Sequence, residues 1–87
     1  MMAEALKALD KEIEAEQKRA GRARKELSRK ENLASDAIPQ SELDDARLAA
    51  DTAVIELRRQ EFYRAAFKIM EVITQLGPRA VRQYLGL

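Results

Sequence analysis

Between Ala3 and Asp36 the apolar residues recur at alternating intervals of three and four. Leu6, Ile13, Ala20, Leu27 and Ala34 occupy one heptad position, and Met2, Leu9, Glu16, Ala23 and Lys30 the other. That spacing predicts a helix over about 3–36, strongly apolar at its ends and weak in its middle. At ~1.5 Å per residue such a helix runs about 50 Å. Gly21 costs ~1 kcal/mol relative to Ala inside a helix, but beside Ala20 and Ala23 it lets a second helix come close.

The pattern breaks at Ala37-Ile38-Pro39-Gln40-Ser41. Pro39 cannot continue a helix and biases Ile38 towards an extended conformation, so 37–40 read as a turn. Ser41 is the expected N-cap of a second helix over about 41–76, with Glu42 and Asp44 in a first turn that favours carboxylates. Leu43, Ala46, Ala50, Ala53 or Val54, and Leu57 continue an apolar stripe. From Phe62 the apolar residues cover most of the circumference as far as Leu76. Gly77 then suits a C-cap, and Pro78 the first position of a short third helix over about 78–85 carrying Val81, Tyr84 and Leu85.

The expected fold is all-α: a long antiparallel, coiled-coil-like helical hairpin with a short C-terminal third helix, in a single domain of 87 residues. Folding one helix onto the other brings together residues whose numbers add to about 77. Leu33 then meets Leu43 or Asp44, Leu27 meets Ala50, Ala20 meets Leu57, Leu9 meets Ile69 and Met2 meets Leu76. Charge favours the same pairing. Gln17 to Lys30 contains seven bases and one acid, and the facing Glu42 to Glu56 five acids and one base. Nearer the open end Glu12, Glu14 and Glu16 are expected to face Arg58, Arg59 and Arg64.

Composition narrows the chemistry. The chain is 36% charged with a net charge of +1, and it has no cysteine, histidine or tryptophan. The usual nucleophile, the usual general base and the thiolate and imidazole metal ligands are therefore missing, which argues against an enzyme and against a cofactor. Glu42, Asp44 and Asp45 match no calcium-loop spacing and read as helix N-terminal carboxylates. No apolar run reaches the ~18 residues of a membrane span, so no membrane insertion is expected, and a cytoplasmic location follows as the expectation.

The functional expectation rests on the apolar cuff. Phe62, Phe67, Met70, Tyr84 and Leu85 are the candidate partner-binding residues, for a protein partner or for a homo-oligomer formed helix on helix. The basic stretch of the first helix, with Arg22, Lys25 and Arg29, offers an alternative as a nucleic-acid contact. It lacks the interleaved aromatics that stack on bases.

The run Ala37-Ile38-Pro39-Gln40-Ser41-Glu42-Leu43-Asp44-Asp45-Ala46, followed by Ala49, Ala50, Ala53 and Leu57, resembles the hairpin tip of HlyD-type membrane fusion proteins. In that family an Ile-Ser-x-x-Glu-(Leu/Tyr)-Asp-x-Ala pattern opens the second helix; here Pro39 stands at the Ser position. Arg29 and Leu33 fall where the family carries an Arg and a Leu that touch an outer-membrane channel. The resemblance implies a periplasmic adaptor whose contact residues would be Arg29, Leu33, Ile38, Gln40, Glu42 and Asp44.

Overall fold

A computed structural model describes residues 2–33 and 37–86. Two helices account for nearly all of them: α1, Met2–Glu31, and α2, Gln40–Leu85. They lie antiparallel, with Lys30 bonded to Glu42 at 3.2 Å near the tip and Asp10 paired with Arg64 towards the open end. The hairpin measures 65 × 27 × 15 Å with a radius of gyration of 19.8 Å. A compact domain of this length would have a radius of about 12 Å. The chain is a rod.

The heptad read from α1 forms its inner face. Leu6 and Ala20 are buried, and Leu9, Ile13, Glu16, Ala23, Leu27 and Lys30 are half-buried, at unbroken three-four spacing. The matching seam of α2 runs Leu43, Ala46, Ala50, Ala53, Leu57, Gln60, Arg64, Phe67 and Glu71, of which the three alanines are buried. Small residues therefore meet near the middle, where Ala20, Gly21 and Ala23 lie opposite Ala50 and Ala53. Among the described residues no large side chain is fully buried.

The ends and the register differ from the sequence expectation. α1 stops at Glu31, five residues early: the Asn32 and Leu33 N–H groups donate to Ser28 and Lys30 carbonyls at 3.0 and 3.3 Å, tightening and closing the last turn. Residues 34–36 lie outside the described residues. Pro39, not Ser41, caps α2. Its carbonyl accepts from the Glu42 and Leu43 N–H groups at 3.1 and 3.3 Å, with no side-chain cap bond. The fixed φ of −58° suits that position. The pairs Lys30–Glu42 and Asp10–Arg64 have numbers adding to 72 and 74, short of the expected 77. Ile69 is accordingly exposed rather than set against Leu9, and Leu76 is exposed as well; the Met2 side chain expected against it lies outside the described residues.

The charge expectation is also corrected. Arg58 turns to Glu61 and Arg59 to Glu56 in their own helix, leaving Arg64 to Asp10 as the cross-pair at that end. Most ion pairs join neighbours one helical turn apart, which long flexible side chains reach at least entropic cost.

Gly77 interrupts α2 with φ 80° and ψ 168°, a conformation that L-residues with a side chain rarely adopt. Pro78 follows, lacking the N–H that would continue the ladder. The segment 78–85 resumes helical geometry as an arm of α2 and ends at Gly86, whose left-handed φ of 74° lets its N–H reach the Arg82 and Gln83 carbonyls. The helix expected over 78–85 is thus present as a helical segment beyond the Gly77 kink, counted here with α2.

Candidate functional site

With the seam fixed, the outer face of α2 follows by counting. Leu43, Ala50, Leu57, Arg64 and Glu71 define heptad position a, so position f, opposite the seam, falls at Leu48, Ile55, Phe62, Ile69 and Leu76. In a two-stranded coiled coil this row is the most solvated and is ordinarily polar. Here all five residues are large and apolar, and they are 51% to 71% exposed. From Leu48 to Leu76 the row extends about 42 Å.

The flanks of the row change along its length. Near the tip they carry Asp44, Asp45, Asp51, Thr52, Arg58 and Arg59; beyond Phe62 they carry Ala65, Ala66, Val72 and Ile73. The apolar face thus widens towards the open end. There the arm after Gly77 bends so that Val81, Tyr84 and Leu85 form one wall of a groove, with Ile69, Ile73 and Leu76 among the residues opposite. The lining is almost wholly apolar. Among the described residues none of α1 lines this groove.

The candidate partner-binding residues separate into two groups. Phe62 and Tyr84 are strongly exposed, and Met70 and Leu85 are more than half exposed. Phe67 instead lies in the intramolecular seam, half-buried, one turn beyond Arg64. Sequence reading missed Leu48, Ile55, Ile69 and Leu76 as a set. Their seven-residue repeat was present as a signal, but only knowledge of which face α1 covers shows that the row is unpartnered.

Four of the six tip residues make side-chain bonds. Arg29 grips Glu26 through Nε and Nη2 at 3.1 and 2.6 Å, which holds the Glu26 carboxyl below the usual carboxylate range and the Arg29 guanidinium above its own. Gln40 Nε2 donates to Asp44 at 2.9 Å, and Glu42 bonds Lys30. Ile38 is half-buried and Leu33 is 44% exposed. Among the described residues no group of three or more acidic side chains is placed to hold a metal ion, and no helix is long and apolar enough to cross a membrane. No family model, curated protein or solved structure matches the chain.

Proposed function

We propose that the chain is a non-enzymatic helical interaction protein that docks helix on helix, through the outer face of α2 and its C-terminal arm, onto a protein partner or a second copy of itself. One observation carries this: Leu48, Ile55, Phe62, Ile69 and Leu76 form an unbroken apolar row on the face turned away from α1. Area supports it. The accessible surface is 7013 Å², whereas a compact monomer of 9.9 kDa exposes about 5,200 Å². The surplus of roughly 1,800 Å² exceeds the ~800 Å² each partner buries in a standard interface. The apolar row is part of that exposed surface, and large exposed apolar patches mark association.

The test is loss of association on Phe62→Glu, which places a carboxylate mid-row without touching the seam. Sedimentation reports self-association, and affinity capture on immobilised wild type and variant reports other proteins. A wild type that remains monomeric and retains nothing that the variant releases would sink the interaction reading.

A second reading follows the HlyD-type resemblance, and the exposure of Leu33 at the tip favours it. There the contact is end-on, so Leu33→Glu abolishes partner binding at unchanged helicity while Phe62→Glu leaves it intact. The reverse pattern returns the function to the outer face.

A further inference from the structure

We infer that the occupant of the outer face is a second copy of this chain, packed antiparallel about a two-fold axis at Phe62. This rests on the interaction reading above and names its partner.

The row reads Leu48, Ile55, Phe62, Ile69, Leu76: the same sequence of residue types in either direction. Turning a second α2 end for end about Phe62 sets Leu48 against Leu76, Ile55 against Ile69 and Phe62 against its own copy. Each contact then occurs twice, as in any isologous interface, and here it sets like shapes together at every level. At its C-terminal end the row stops with the straight part of the helix, since Leu76 directly precedes the Gly77 break.

The flanks choose the direction. A parallel pair would bring Arg58 and Arg59 of both copies together, and Asp45 and Asp51 likewise. Like charges packed beside an apolar seam are destabilising. In the antiparallel pair Arg58 and Arg59 lie over Ala65 and Ala66 of the other copy. These small residues leave room for the aliphatic stems, while the guanidinium groups keep their own partners, Glu61 at 2.8 Å and Glu56 at 3.2 Å. The widening of the apolar face also fits. The groove walled by Val81, Tyr84 and Leu85 lies beside Leu76, where it receives Leu48 of the second copy. The result is a flat array of four helices in which α2 pairs occupy the centre and α1 the outside.

Size and direction are measured separately. Sedimentation equilibrium of the wild type gives twice 9.9 kDa; Phe62→Glu, which sets two carboxylates on the axis, weakens association by ~100-fold or more, with its far-UV circular dichroism unchanged. Ile55→Glu, also off the seam, repeats the effect. The chain has no cysteine, so a spin label at Gln75→Cys reports direction: about 40 Å between labels for the antiparallel pair, against ~10–15 Å for a parallel one. A short distance, or a dimer indifferent to both charge insertions, overturns the inference. So does a wild-type monomer at high concentration; if that monomer still retains a protein which Phe62→Glu releases, the interaction reading survives with a different occupant.

Discussion

Replacing Gln60 by Leu should stabilise the hairpin. Gln60 occupies a seam position on α2, in the register that places Ile13 opposite, and its side-chain oxygen is buried without a hydrogen-bond partner. Such an atom costs ~1–3 kcal/mol. The residue is half-buried rather than fully buried, so the lower part of that range applies, and Leu adds apolar contact in place of the amide. The net gain is about 1–1.5 kcal/mol. For a domain of this size that corresponds to roughly 4–12 °C in Tm, and with a urea slope near 1 kcal/mol/M to a midpoint ~1 M higher. The assay is urea unfolding followed at 222 nm, at fixed protein concentration because association would shift the midpoint too. Gln60→Ala, which removes the oxygen and adds no bulk, should gain less. An unchanged or lower midpoint for Gln60→Leu at constant slope would refute the account of the seam.

Three further outcomes follow from the geometry. Ala50 is 4% exposed between the helices, so Ala50→Leu should overpack the seam and cost ~1–3 kcal/mol, read as a lower urea midpoint. Gly77→Ala forces a side chain into φ 80°, ψ 168° at ~1–3 kcal/mol; because Pro78 bars a straight helix, the chain should relieve this by resetting the bend, which a changed label distance between positions 69 and 84 would report. The Glu26 carboxyl, held low by the Arg29 hydrogen bonds, should titrate by NMR below the ordinary Glu range. Because its folded pKa is depressed, its contribution to stability is present above the unfolded value and is lost as pH falls through the folded one. A Glu26 titration at or above the ordinary value, or one unmoved by Arg29→Ala, contradicts the pairing.

The inner face of α1 was legible in sequence because it obeys the heptad with few intrusions, and the positions assigned to it from Leu6 to Lys30 are all buried or half-buried. On α2 the alanine half was legible for the same reason. Beyond Leu57 the seam passes through Gln60, Arg64 and Glu71, while stronger apolar residues lie outside it, so hydrophobicity pointed to the wrong face. The register error at the open end has the same origin. Counting Ile69 and Leu76 as core moved the pairing by up to one turn, whereas Asp10 and Arg64 fix it in the structure. Pro39 concealed the helix start, since Ser41 carries the commoner capping side chain and the proline carbonyl took the role instead.

The uneven seam makes the rod a zipper with a tight end and a loose one. Contacts beside the turn close short loops, and the small buried residues of the middle follow close behind them. Those near Asp10 and Arg64 close loops of more than fifty residues around an ion pair and an unbonded amide, and loop closure becomes dearer with length. Strand separation therefore begins at the termini and travels towards Pro39. Breathing of this kind frees Leu6 and Phe67 beside the widest part of the outer apolar face, so the same end that invites a partner is the end best able to reshape itself around one.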